Sequence, residues 1–343
     1  MAAVVVIIVG YRNAGDIADC LRALASAKPE PRFEVFIAEN GGKGGMDALI
    51  ARLDEGDAAW RPGGAAPPEA PEVAKRVRDY TLVGPDGSPG EPVHVAEMAE
   101  NMGYAGGINA WLRPLLAAPE WEAVWVLNPD TLPEPDALAE LAAYARSHGK
   151  GMVGSCIIRT DQPDRVFTRG MAWNRFACRA EAIGRGAEIS VEPDPEEIET
   201  RLASPSGASI YVTREVVDAI GLMDERYFLY FEDLEWGLRA QRLGMVGYAH
   251  RSRVPHKFGT TIGGTARRAA RSRLSVYLGA RNLILYERSK NPLRVPWALV
   301  TQTGFLAIYG AVGAFGNMVA GFRGLVAGLR GEIGRPDSFF KAN

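Results

Sequence analysis

Val4-Val-Val-Ile-Ile-Val9 is rich in β-branched residues throughout and stops at Gly10. A continuous run of this kind, without the alternation of a half-exposed strand, reads as a parallel strand covered on both faces. Ile17, Cys20, Leu21 and Leu24 follow at helical spacing, so a helix packs back onto that strand. Phe33 to Ala38 reads as a second strand and Met46 to Leu53 as a second helix. This βαβ opening predicts a doubly wound α/β domain with ligands at the carboxyl ends of its strands.

Working outward, Gly56 to Pro92 is rich in Pro, Gly and Ala and reads as a loop or insertion, with one strand at Tyr80 to Val83. Val93 to Ala96 reads as a short strand. Ile108, Trp111, Leu112, Leu115 and Leu116 form a helical stripe, and Ala123 to Leu127 is a strand stopped by Asn128-Pro129-Asp130. A helix through Leu138, Leu141, Ala142 and Ala145 leads to a strand at Met152 to Ile158. From Arg175 to Arg201 periodicity fades, and a mobile or acceptor-side loop is expected. Ile210 to Val212 is a strand. Arg214 to Ile220 and Glu232 to Leu243 are helices closed by Gly221 and Gly244, and Val246 to Ala249 is the last strand.

The chain changes character from about Thr260, so residues 1–260 are expected to form the α/β unit and 261–343 a helical region. That region opens with Arg267, Arg268, Arg271 and Arg273, and continues with a helix holding Tyr277, Arg281, Asn282 and Tyr286. Val295 to Phe322 carries no charge, and about 20 apolar residues can span a bilayer. Thr301, Gln302, Thr303 and Asn317 dilute it, while Arg294, Arg323, Arg330 and Trp297 suit a helix pair lying at the interface beside anionic lipid. A true span and a plain packing or homodimer helix are the alternatives.

The 343 residues suit one large domain with an appendage, or two domains. An apolar content of 47% and a charged content of 23% are those of a globular protein. The net charge of −2 argues against nucleic acid as a bulk electrostatic partner. Cys20, Cys156 and Cys178 form no CxxC pair, which fits a reducing compartment. Val4 to Val9 has no basic residues before it and no small-residue cleavage site after it, so it does not read as a secretion signal.

Four clusters carry chemistry. A strand running into Asn128-Pro129-Asp130 puts a carboxylate at the sheet edge, where it suits a hard divalent cation; a plain Pro-Asp turn would read the same way. Tyr227-Phe-Leu-Tyr-Phe-Glu-Asp-Leu-Glu235 sets three carboxylates at a helix start behind aromatics that can tune a base, or is simply an acidic first turn. His256 follows a strand, with Lys257 beside it to meet a phosphate; alone, this signal is weak. Asn101-Met-Gly-Tyr-Ala-Gly-Gly-Ile-Asn109 enters a helix and lets backbone approach a phosphate, although it is not the spaced GxGxxG fingerprint. Tyr11 and Glu39-Asn40 sit after strands where a nucleotide would lie.

The order of these features, with Ser206-Gly-Ala-Ser209, Gly221-x-Met-Asp-Glu-Arg-Tyr227 and Arg239 between them, resembles family 2 glycosyltransferases over roughly residues 4–290. The look is of the rhamnosyltransferase-like and galactofuranosyltransferase-like branch. The resemblance implies a GT-A fold with a donor-binding half of about 1–130 and an acceptor-side half of about 131–260. It implies Asp233 as general base. Asp130 and His256 would hold Mg²⁺ or Mn²⁺ under the donor diphosphate. Tyr11, Glu39, Asn40, Asn101, Gly106, Gly107, Asn109, Asn128, Asp130 and Lys257 would form the donor site, with Glu39 at the base in place of the usual Asp. Ser206, Gly207, Glu232 and Trp236 would lie on the acceptor side. The expected partners are a dTDP- or UDP-sugar, rhamnose first, and a glycan or polyprenyl-linked glycan at the cytoplasmic face of a bacterial membrane. A nucleotidyltransferase would want a longer glycine- and lysine-rich loop than Tyr11 to Gly15, an oxidoreductase its glycine fingerprint, and a non-catalytic scaffold the loss of Asp130 or Asp233.

Overall fold

The hydrophobic run at the N-terminus becomes β1 (Val4–Gly10), buried along its whole length. In the computed structural model, residues 3–340 are described apart from 68, 119 and 258–270. The chain continues through α1 (Ala14–Ala25), β2 (Phe33–Glu39), α2 (Gly42–Asp54), β3 (Trp60–Pro62), β4 (Ala74–Val83), β5 (Pro89–Met98), α3 (Gly103–Ala117), β6 (Ala123–Leu127) and α4 (Ala137–His148). Then come β7 (Met152–Arg159), β8 (Gln162–Thr168), β9 (Met171–Asn174), β10 (Arg179–Ala182), α5 (Pro195–Glu199), β11 (Ser209–Thr213), α6 (Arg214–Ile220), α7 (Glu232–Gln241) and β12 (Val246–His256). Three helices close the chain: α8 (Arg273–Lys290), α9 (Val295–Ala311) and α10 (Phe315–Arg330).

The central sheet runs β12-β7-β11-β6-β1-β2-β5-β4-β3, with β8 on β7. β1 is parallel to β2 and β6, and β11 is inserted antiparallel between β6 and β7. Successive β1 residues face opposite cores. Val4, Val6 and Ile8 pack with α1, α2 and α4, while Val5, Ile7 and Val9 pack with α3, α6 and α7. The chain moves from β1 to β2 and β5 on one side and returns to β6 on the other, so the switch point lies between β1 and β6. Tyr11, Asn40 and Asn128, each just beyond its strand, therefore line up on one edge.

Two devices fix the β12 side of that edge. A chain of buried hydroxyls crosses four strands: the Trp125 indole donates to Ser209 at 2.8 Å, Ser209 meets Ser155 at 2.7 Å, and Ser155 meets Ser252 at 2.8 Å. A register shift between Ala249 and Arg253 then re-aims β12. Its end is zipped to the turn after β6, with Leu132 N–H on the Pro255 carbonyl at 2.8 Å and Lys257 N–H on the Asp130 carbonyl at 3.0 Å.

The expected elements occur with shifted ends, and three stretches differ. The loop expected over 56–92 contains β3 and the long β4, which extend the sheet antiparallel through β5. The segment 175–201 holds β10, paired with β9, and the short α5. The uncharged run at 295–322 is two helices broken near Gly313 (φ +76°). Among the described residues no helix is long and apolar enough to cross a membrane. The 260/261 boundary, Arg267 and Arg268 lie outside the described residues.

Candidate active site

A cleft of about 630 Å³ opens over the carboxyl edge of the sheet. Tyr11, Asn13, Asn40, Asn101, Asn128, Asp130 and His256 line one part of it. Ser206, Gly207, Glu232 and Asp233 line another, and Leu229, Tyr230, Phe231, Leu274 and Phe340 form an apolar wall. Among the described lining residues there are three carboxylates and no Lys or Arg.

Asp130 and His256 meet because the turn after β6 is zipped to β12. The imidazole Nε2 lies 3.3 Å from Asp130 Oδ1 and 3.3 Å from the Asn128 amide nitrogen. Burial lowers the His256 pKa to about 4, so the ring is neutral at physiological pH. Burial, followed by the charge of Asp16, pushes Asp130 up to about 6. A carboxylate oxygen and a neutral imidazole nitrogen at that separation suit neighbouring ligands of one small cation, whose bonds are about 2.1 Å. Two protein ligands match a cation that completes its shell with substrate phosphate and water; among the described residues no three His, Cys, Asp or Glu side chains converge to form a full cage.

Glu232 and Asp233 begin α7. Glu232 is 4% exposed, and its Oε2 is buried without a partner. Burial first, then the neighbouring Asp233 charge, raises the Glu232 pKa. Burial also raises Asp233, but backbone N–H groups of Leu234 (2.8 Å), Gly207 and Asp233 itself oppose the shift. A Cβ on Gly207 would lie 2.6 Å from Asp233 Oδ2, so any side chain there would displace the Asp233 carboxylate. Two like charges in one buried site share a proton. The N–H donors favour ionised Asp233, so Glu232 holds it.

This predicts a pH signature for Glu232→Gln. A carboxyl whose folded pKa exceeds its unfolded value stabilises the fold fully only below the unfolded value, near 4.5, and that stability is lost as pH rises through the folded pKa. Glutamine removes the loss. Glu232→Gln should melt higher than wild type, by roughly 2–3 kcal/mol near neutrality, with a gap that widens from pH 5 upward. Thermal unfolding against pH checks this; a gap independent of pH would refute the shared-proton arrangement.

Several expected residues lie elsewhere. Glu39 is fully buried beside the cleft rather than in its lining; its Oε1 accepts N–H bonds from Arg12 (3.0 Å) and Gly41 (2.7 Å), and its Oε2 is buried without a partner. Gly106 and Gly107 lie inside α3, where Gly107 lets the helix approach Val9. The Asn109 amide donates to the Met223 carbonyl and to Glu225, pinning α3 to the loop before α7. Lys257 is not among the described lining residues; its ammonium pairs with Asp16 and Asp19 on α1. Trp236 is wholly buried and donates to the Gly221 carbonyl at 2.9 Å, so it is a core residue rather than an acceptor contact.

Sequence reasoning missed Asn13, Tyr104, Ser272, Leu274 and Phe340 in the lining. Tyr104 lay inside the quoted glycine-rich stretch. Its hydroxyl donates to the Gly207 carbonyl at 2.7 Å, and burial followed by the charges of Asp233, Glu232 and Asp130 holds its pKa far up. Leu274 and Phe340 come from the C-terminal region and carry no motif that assigns them to the cleft.

The sequence profile described as glycosyltransferase like family 2 matches residues 76–274, more than half of the chain. A low-salt glycan biosynthesis hexosyltransferase of Haloferax volcanii is 24% identical over 153 residues, covering 44% of this chain and 47% of that protein. A galactofuranosyltransferase of Mycolicibacterium smegmatis is 24% identical over 163 residues, covering 46% of this chain and 51% of that protein. The chain thus spans about half the length of the curated relatives it matches. Among solved structures, a mannosyltransferase from Pyrobaculum calidifontis in complex with GDP-Man and Mn²⁺ aligns at TM-score 0.48 and 14% identity, over 96% of this chain and 87% of that one. S. aureus TarS 1–349 in complex with UDP aligns at TM-score 0.47 and 13% identity, over 90% and 72%. A mixed α/β sheet of GT-A type, with a profile match that covers more than half of the chain and includes Asp130, Asp233 and His256, makes the chain a member of the family 2 glycosyltransferases.

Proposed function

We propose that the chain is an inverting transferase that moves a sugar from a nucleoside diphosphate donor to a glycan or polyprenyl-linked glycan in bacterial polysaccharide synthesis. The donor is dTDP-rhamnose in the first instance and otherwise a UDP-sugar. The observation that carries the reading is one cleft holding the buried Glu232–Asp233 carboxyl pair and the Asp130–His256 pair. Asp233 takes the acceptor hydroxyl proton as that oxygen attacks the anomeric carbon. The bond to the diphosphate breaks on the opposite face, and one displacement inverts the centre. Glu232 keeps its proton and supplies no second nucleophile, which is the requirement for retention.

Asp130 and His256 would hold Mg²⁺ or Mn²⁺, with Asn128 beside them. The lack of Lys or Arg in the described lining supports this, because a diphosphate bound beside Asp130 with no positive side chain in that lining needs a cation. When bound, the cation stabilises charge on the leaving diphosphate. Tyr11, Asn40 and Asn101 would border the donor; Asn40 donates to the Gly103 carbonyl at 2.8 Å and so holds the glycine-rich turn in place. Ser206 and Gly207 would face the acceptor. Residues 1–260 would form the catalytic unit, with a wall of the cleft lent by the helical region that follows.

A donor screen tests the reading: UDP-, dTDP- and GDP-sugars with Mg²⁺ or Mn²⁺, with release of nucleoside diphosphate as readout. Release from one donor, stopped by chelator, is expected. No cation-dependent binding of any nucleotide by calorimetry would overturn it.

The acceptor reading extends to where the enzyme works. Val300, Val312, Phe315 and Val319 are each more than half exposed on α9, α10 and their connection. Between Glu287 and Glu332 there is no acidic residue, and the stretch carries Arg288, Lys290, Arg294, Arg323 and Arg330, of which Lys290, Arg294 and Arg330 pair with Glu235, Glu287 and Glu332. Exposed apolar residues in a stretch of net positive charge complement an anionic bilayer, at the cytoplasmic face in this reading. Full-length protein should sediment with phosphatidylglycerol vesicles and at least about tenfold less with phosphatidylcholine; Phe315→Asp with Val319→Asp should abolish the difference. A concentration-dependent homodimer that ignores vesicles would replace this reading.

A further inference from the structure

The segment that delivers Asp233 is held in backbone conformations that its residues disfavour. Phe228 (φ 67°, ψ −63°), Tyr230 (φ 64°) and Phe231 (φ 86°, ψ −23°) all lie at positive φ, and none is glycine. Phe228 centres a γ-turn closed by Leu229 N–H on the Tyr227 carbonyl at 2.9 Å, a rare and strained form of turn. Such residues persist only where the surroundings over-determine them.

The surroundings come from both sides. From α3, Tyr104 N–H donates to the Phe228 carbonyl at 2.8 Å. Gly103 (φ +73°) must be glycine there, since a Cβ would fall 2.1 Å from that carbonyl oxygen. From α8, fully buried Asn282 directs its amide nitrogen at three carbonyls: Tyr227 (3.0 Å), Leu229 (2.9 Å) and Tyr230 (2.7 Å). Arg281, 1% exposed, donates to the Tyr227 carbonyl at 2.8 Å and to the Gly334 carbonyl at 2.7 Å. Its Nε also donates to Asn282 Oδ1 at 3.0 Å. That last bond fixes which end of the Asn282 amide faces the loop. A turn that points its carbonyls inward needs donor-only partners, and the Arg281–Asn282 fork provides them.

We propose that Arg281 and Asn282 are positioning residues: they hold Tyr227–Phe231 in the left-handed path that starts α7 at Glu232, and thereby place the Asp233 carboxylate. The proposal rests on the reading of Asp233 as the base. Catalytic geometry is thus set from the C-terminal helical region, with Asn282 lying 52 to 55 residues along the chain from the carbonyls it holds.

The test uses the full chain with the donor found active in the screen, comparing Asn282→Ala, Asn282→Asp and Arg281→Lys with Asp233→Asn. Asn282→Ala and Asn282→Asp should lose kcat by about 10²-fold with donor KM within about threefold, because a misplaced group costs turnover rather than donor binding. Arg281→Lys, which keeps the charge but not the fork, should fall between them and wild type. Hydrogen exchange over residues 227–235 should accelerate in the Asn282 variants while β1 and β6 stay protected. If Asn282→Ala does not fold, Asn282→Asp and Arg281→Lys carry the comparison. Wild-type kcat in a folded Asn282 variant beside an inactive Asp233→Asn would overturn this inference alone. So would kcat, donor KM and global exchange worsening together, which is the signature of a merely structural role. Full turnover in Asp233→Asn would remove the base assignment and this inference with it.

Discussion

Asp233→Asn should lower kcat by roughly 10³-fold while leaving nucleotide affinity within about threefold, since a positioned general base contributes about 10² to 10⁴. Asparagine keeps the shape and keeps one oxygen for the Leu234 N–H, which Asp233 Oδ1 accepts at 2.8 Å. It cannot take a proton from an attacking hydroxyl. The wild-type rate should fall as pH drops through the Asp233 pKa, which burial raises. A base works only when deprotonated, so the loss lies on the acid side. The residual rate of Asp233→Asn should be flat across that limb. Nucleoside diphosphate release at saturating donor and acceptor, measured against pH, checks both statements. Retention of more than about a tenth of the wild-type rate would mean that another group takes the proton.

What the sequence discloses here is what local pattern encodes. β1 is legible because a parallel strand buried on both faces must be apolar at every position. Asn128–Asp130 and Glu232–Asp233 are legible because they abut a strand end and a helix start, and the structure brings both to one cleft. The second part of β4 is legible at Tyr80 to Val83, but its first part escapes because Lys75, Arg76, Arg78 and Asp79 lie in an exposed or half-buried extension near the sheet edge, where apolar residues are not required. β8 escapes for the same reason, with its first four residues exposed. The surroundings of Trp236 and Lys257 are not legible, because their partners, the Gly221 carbonyl and α1, are set by tertiary contact rather than by neighbours in the chain. The left-handed path of Phe228–Phe231 has no glycine to announce it; its explanation sits in Arg281 and Asn282. Local rules fail most clearly at the strained catalytic loop, where the fold supplies conformation that the residues would not choose.

Asp130→Ala should erase the cation dependence of nucleotide binding. The described lining of the cleft contains Asp130 and Asp233 but no Lys or Arg to meet a diphosphate, and Lys257 is paired with Asp16 and Asp19 instead. Affinity without a divalent ion should therefore be poor, and Mn²⁺ should improve it by at least tenfold, about 1.4 kcal/mol. Removing the carboxylate leaves neutral His256 as the one strong ligand of the pair, which is insufficient for a hard, oxygen-seeking ion. The variant should bind nucleoside diphosphate equally with Mn²⁺ and with chelator, at or slightly above the wild-type chelated affinity, because one repelling charge has gone. Calorimetry of UDP and dTDP binding under both conditions reads this directly. Cation-enhanced binding that survives in Asp130→Ala would place the ion elsewhere. Tight binding by wild type in chelator would show that the diphosphate finds its positive charge without a metal.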